Sequence, residues 1–183
     1  MPFSFGNITP QVIADADKKP GHSDVVLFAR VADFETIATP TSPWAAPGDS
    51  VKITTAHAFP EGGGFFSLQC KAKSIDPTGD AQGEAGGQVP TFKYKCIVKG
   101  DSPEILEWVL QALNEDFVVL FNSPECGKDE YIQIGGKCTP ANLNSFAFRG
   151  GNKGNGGFKE YEFVVESSDK FFYNGTVTKL PDA

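Results

Sequence analysis

The chain has 183 residues, a formal net charge of −7 at pH 7 and a sequence pI near 4.8; that acidity argues against general nucleic-acid binding, which needs a positive surface to displace counterions. Hydrophobic content of 40% and charged content of 21% are those of an ordinary globular protein, and the length suits a single domain, 1–183, with a true core. Sixteen Phe against one Met, with twenty Gly and thirteen Pro, favour strands on whose pleated faces aromatic rings pack, punctuated by turns.

Residues 1–23 read as an irregular N-terminal segment. They lack the basic start and apolar run of a secretory signal, and nowhere does the chain hold the roughly 20 apolar residues of a membrane helix. Val25 and Leu27 alternate with Val26 and Phe28 in a strand over 24–30 that is apolar on both faces and so reads as central. An extended segment over 31–38 leads to a proline-rich loop, 39–48, and a short strand over 51–55. The clearest strands are 65–73, with Phe66, Leu68 and Cys70 on one face, and 91–99, with Phe92, Tyr94, Cys96 and Val98 on one face. They read as a hairpin joined by a flexible loop, 74–90, whose length is that of functional or disordered connections. A helix follows over 101–114: Asp101 or Ser102 can cap it, Pro103 suits the first turn and Glu104 complements the dipole. Ile105, Leu106, Trp108, Val109 and Leu113 supply its apolar stripe.

Segments 117–121 and 130–134 make a second hairpin. In the following strand, up to Arg149, Phe146 and Phe148 share a face. Over 158–166, Tyr161, Phe163 and Val165 oppose Glu160, Glu162 and Glu166, the alternation of a half-buried antiparallel sheet. A second flexible loop, 150–157, carries five glycines and joins these two strands. A final strand spans 171–179. The expected fold is mainly β: an antiparallel β-sandwich or partial barrel with one α-helix packed on the sheet and long inter-strand loops.

Catalytic chemistry has little support. His22 and His57 lie in no nucleophile motif and default to surface or turn positions. The glycine-rich loop joins two strands and lacks the Gly-Lys-Ser/Thr ending of a phosphate loop, whereas dinucleotide fingerprints open a helix. Asp76 and Asp80 are too few for a calcium loop. No cofactor or metal is implied. Cys70 and Cys96 read as buried core thiols that face each other if their strands pair; Cys126 lies in the turn of the next hairpin and Cys138 beyond its far end, so one strand length keeps those two apart. Free thiols suit a reducing compartment. Lys71, Lys73, Lys93, Lys95 and Lys99 fall on the polar face of the 65–99 hairpin. Three readings stand: a solvated face, a stripe for nucleic acid, or a subunit joint in which Lys71, Lys73, Lys93 and Lys95 meet the acidic strand 160–166 of another copy.

The order of elements resembles the tail-tube proteins of tailed phages and the related tube proteins of contractile injection systems. It comprises strands, a long-looped hairpin at 65–99, one helix, and the block Ser145-Phe-Ala-Phe-Arg-Gly-Gly followed, after the loop, by Gly157-Phe-Lys-Glu-Tyr-Glu-Phe. The likeness extends from about residue 24 onward. It implies a structural, non-enzymatic virion protein, made in the host bacterial cytoplasm, that partners with itself in hexameric rings. Those rings would stack into a hollow tube beside other tail proteins, and DNA would pass through without specific binding; no membrane is involved. On that likeness Glu160, Glu162 and Glu166 are candidates to line the lumen, and Asp76, Pro77, Asp80, Glu84 and Val89 mark an arm for contacts between subunits or rings. Two other classes fit the composition: a head-decoration or minor capsid sandwich, and a carbohydrate-binding sandwich exposing Trp44 and Tyr131.

Overall fold

The computed structural model describes residues 24–71, 74–122, 130–151 and 159–180. Two sheets and one α-helix organise them, and neither sheet closes into a barrel. The strands are β1 (Val25–Arg30), β2 (Lys52–Ile53), β3 (Phe66–Gln69), β4 (Asp76–Gln82), β5 (Val89–Lys99), β6 (Phe117–Asn122), β7 (Tyr131–Ile134), β8 (Asn142–Arg149), β9 (Glu160–Ser167) and β10 (Lys170–Tyr173), with helix α1 at Pro103–Ala112 between β5 and β6. One sheet has six strands in the order β2-β10-β7-β6-β1-β3, and the other four in the order β4-β5-β9-β8. Every pairing is antiparallel except β10 with β2.

The larger sheet is covered on both faces, which is why β1 and β6 are apolar throughout. Val26, Phe28, Val119 and Phe121 point into the space shared with the smaller sheet and α1. Leu27, Ala29, Val118 and Leu120 point the other way, into a second cluster with Ile53, Phe65 and Tyr173, roofed by Phe34, Ile37 and Phe59 from the connection between β1 and β3. Trp108 ties α1 to both sheets: its ring lies 5.6 Å from Phe28 of the larger and 5.4 Å from Phe163 of the smaller, both edge-on. Ser102 caps the helix, its Oγ accepting from the Ile105 amide at 3.4 Å, with Pro103 in the first turn.

Several expectations are corrected. Segments 65–73 and 91–99 do not form a hairpin: β3 pairs with β1, while β5 lies in the other sheet between β4 and β9. Alternation dictates which face of a strand is buried, but not which strand lies beside it. The connection 74–90 contains β4, which pairs with β5 from Asp76↔Lys95 to Gln82↔Val89. Pro77 and Gly79 had disguised it; an edge strand exposed on both faces tolerates residues that a central strand would reject. Leu106 stands outside the helix stripe, 41% exposed, and Ala112 takes an inward position. The final strand is shorter than expected, ending at Tyr173.

His57 is a core residue, 4% exposed. Its Nδ1 accepts from the Ala38 amide at 3.0 Å, its Nε2 meets Gln133 Oε1 at 3.0 Å, and its ring stacks on Tyr173 at 4.6 Å. Gln133 donates its own amide to Gly135 O at 2.9 Å, so its Oε1 is the acceptor and Nε2 of His57 carries the proton. Burial pushes the imidazole pKa down to about 4, against the hydrogen bond to Gln133. The segment 1–23 with His22, Cys126, Lys73 and nearly all of the loop 150–157 lie outside the described residues.

Candidate functional site

The candidate site is the polar face of the four-stranded sheet. On β9, Tyr161, Phe163 and Val165 point into the core, so Glu160, Glu162 and Glu166 must point away from it. The register with β5 sets Lys93 opposite Glu166, Ile97 opposite Glu162 and Lys99 opposite Glu160. On the other side β8 sets Ala147 opposite Glu162 and Arg149 opposite Glu160. A bulge at Asn144, between the pairs Leu143↔Val165 and Ser145↔Val164, lets Leu143 and Phe146 both face inward although they are an odd number of residues apart. Without the extra residue one of them would be turned to solvent.

The structure brings the predicted acidic and basic groups together within one chain. Lys93 Nζ lies 3.4 Å from Glu166 Oε2, Lys95 Nζ 3.0 Å from Glu162 Oε2, and Arg149 Nη2 2.8 Å from the same Glu162 oxygen. Lys71 reaches Glu160 Oε1 at 2.6 Å, and that glutamate is 3% exposed. Asn144 Nδ2 also donates to Glu166. These pairs take up, inside one subunit, the carboxylates that a joint between copies would draw from a neighbour. Arg149 and Asn144 escaped the sequence reading; their signal was the β8–β9 pairing, which puts both on the glutamate face once the bulge is known.

The predicted arm residues are placed on one projecting hairpin. Asp76, Pro77 and Asp80 lie on β4, Glu84 in the turn and Val89 at the start of β5, 54% exposed. All of residues 76–90 are exposed, and β9 reaches only to Phe92 of β5, so the tip stands clear of the sheet. At the opposite end of β5 and β9, Asp101 accepts from Lys159 Nζ at 2.6 Å and Tyr161 Oη at 2.8 Å, fastening the helix start to β9. Those hydrogen bonds lower the Asp101 carboxyl pKa, whereas burial and the Asp101 contact push Tyr161 up to about 12.

Trp44 is 61% exposed on the proline-rich loop. Tyr131 is half-buried on β7 against the second core, so it presents no open platform. Among the described residues, no three His, Cys, Asp or Glu side chains are grouped to hold a metal ion, and no helix is long and apolar enough to cross a membrane.

No family model and no curated protein matches the chain. Two solved structures are similar over part of it. A chain from the virion of a native gene transfer agent particle aligns at 14% identity over 59% of this chain and 88% of that one, with a TM-score of 0.43. A chain from the tail of an empty gene transfer agent particle, with C6 symmetry, aligns at 15% identity over 58% of this chain and 84% of that one, with a TM-score of 0.41. Likeness at this level carries no functional argument.

Proposed function

We propose that the protein is a structural virion subunit that joins copies of itself edge to edge through the four-stranded sheet, forming rings that stack into a hollow tail tube for DNA. The observation that carries this reading is that the sheet ends in two long edges, β4 and β8, with no strand beside either among the described residues. Both are solvent-exposed along nearly their whole length. Long open edges are a liability in a free monomer and a ready template for pairing.

The strand arithmetic supports closure. All three pairings in this sheet are antiparallel, so β4 and β8 run in opposite directions. Copies related by rotation about an axis along the strands would therefore set β8 of one beside β4 of the next in antiparallel order, continuing the alternation without a break. That contact is heterologous, and it closes into a ring when the rotation allows. On this reading the face bearing Glu160, Glu162 and Glu166 lines the bore, with Lys93, Lys95 and Arg149 as internal counter-charges. The lining then offers passing DNA a charge-compensated surface, with no unbroken positive track to grip phosphate. The arm of Asp76, Pro77, Asp80, Glu84 and Val89 reaches the next subunit or the next ring, and the hexameric ring number follows the tail-tube resemblance.

Negative-stain electron microscopy across a protein concentration series, beside solution mass, tests the proposal. Rings or hollow tubes are the expected result. A single-subunit mass at every concentration and ionic strength overturns it, and glycan binding by such a monomer would transfer the reading to a carbohydrate-recognition sandwich.

A further inference from the structure

We propose that Cys70 and Cys96 form a latent disulfide site that can bolt the two sheets together across the core. The two thiols come from different sheets: Cys70 directly follows β3 of the six-stranded sheet, and Cys96 lies within β5 of the four-stranded one. Both are in the core cluster between the sheets, 4% and 0% exposed respectively.

The main chain brings the two segments together beside the cysteines. The Lys71 amide donates to Ile97 O at 2.6 Å, one residue beyond each cysteine. Ser74 reinforces the contact, its Oγ accepting from the Ile97 amide at 3.2 Å. On the other side the Cys70 amide donates to Asp24 O at 2.6 Å, which fixes the strand end. Hydrogen-bonded chains at strand spacing are roughly 5 Å apart, so the backbones meet at Lys71 and Ile97, next to the two cysteines, and a bridge needs their Cα atoms within about 7 Å. The side chains fit the same picture: the neighbouring Cys96 thiol, with burial, raises the Cys70 thiol well above its ordinary pKa, while Cys70 Sγ itself points to Leu68 O at 4.0 Å.

The reaction is a two-step exchange with a small-molecule disulfide. One protein thiolate attacks a sulfur of that reagent, forming a mixed disulfide and expelling one small thiolate. The second protein thiolate attacks the protein-bound sulfur and expels the other. Two protein thiols are oxidised, the reagent's S–S bond is reduced, and the two protons end on the two small thiols. A buried, high-pKa thiol reacts only when the strand end opens. The site is therefore inert while the protein stays closed and reduced, and it fills after prolonged exposure to an oxidising medium.

The test uses the wild-type protein incubated with oxidised glutathione, with and without sub-denaturing urea. Remaining thiols are then alkylated and the chain mapped by non-reducing proteolysis and mass spectrometry. The expected product is a Cys70–Cys96 linked peptide two hydrogens lighter than its parts, forming faster in urea. The bridge should raise Tm by on the order of 10 °C, since it closes a loop of roughly 25 residues. Recovery of Cys70 and Cys96 as alkylated thiols while Cys138, exposed in the structure, carries glutathione overturns the proposal. So does a bridged form that melts no higher than the reduced one. A Cys126→Ser, Cys138→Ser double variant gives the same linked peptide if the assignment is right, and none if the bridge arose by reshuffling.

Discussion

Acidification should unfold this protein partly through His57. The imidazole is neutral in the fold, with its Nε2 proton given to Gln133 and Nδ1 occupied by the Ala38 amide. A second proton on Nδ1 would face the amide it now accepts from, in a pocket of rings: Tyr173 stacked at 4.6 Å, Phe34 at 5.3 Å and Phe65 at 5.9 Å. The folded pKa of about 4 lies below the ordinary value of 6.5. The neutral form is therefore the one the fold favours, so its contribution is complete above pH 6.5 and is lost as pH falls toward 4. Linkage over that interval gives a loss of roughly 1–2 kcal/mol at pH 5.5 and roughly 2–3 kcal/mol at pH 4.5. Urea unfolding of the unassembled protein at pH 7.5, 5.5 and 4.5 measures it, beside His57→Gln, which has no titrating ring. The variant should start less stable and lose less with acid, the difference between the two pH profiles tracing these values. Parallel profiles would overturn this assignment, as would a His57 ring titrating near 6.5 by NMR.

Other substitutions separate tight packing from loose charge. Gly135→Ala should cost several kcal/mol by urea midpoint: Gly135 sits at φ 86°, and a Cβ there would come within 2.5 Å of the Ala141 backbone nitrogen. Tyr94→Phe should be neutral or stabilising by up to about 1 kcal/mol in the same assay, because the buried Tyr94 hydroxyl has no hydrogen-bond partner among the described residues. Glu160→Gln should cost roughly 1–2 kcal/mol, since it strands Lys71 against a buried position. Lys95→Ala, on the half-exposed part of the same face, should cost less than about 1 kcal/mol. Equal losses in the last two variants would show that burial does not set the worth of these pairs.

Periodicity made much of this fold readable. The double apolar face of β1 announced a strand covered on both sides, and the Tyr161-Phe163-Val165 row announced which face of β9 is core. The cap and first-turn chemistry at Ser102 and Pro103 marked the start of α1 within its own turn. These are properties of neighbouring residues, and local sterics and alternation suffice to express them. The glutamates and lysines of the candidate site were also visible as polar rows opposite the core face, although the burial of Glu160 under Lys71 was not.

Partner choice was not readable. Nothing in Phe66–Gln69 or Val89–Lys99 says that they belong to different sheets, because pairing is decided by the whole set of strands competing to cover one core. Likewise β4 looked like a loop until an edge gave Pro77 and Gly79 a place, and His57 looked like a turn residue until Gln133, 76 positions away, supplied its partner. The class of fold, its helix and the inward face of most strands were legible in the residues alone, since each depends on a few adjacent side chains. The packing of the whole core set Lys93 and Lys95 against Glu166 and Glu162 of their own chain, put Cys70 and Cys96 in one cluster between the sheets, and left the four-stranded sheet with no strand beside β4 or β8 among the described residues. Those facts depend on long-range register, and a chain encodes register through the packing of its entire core.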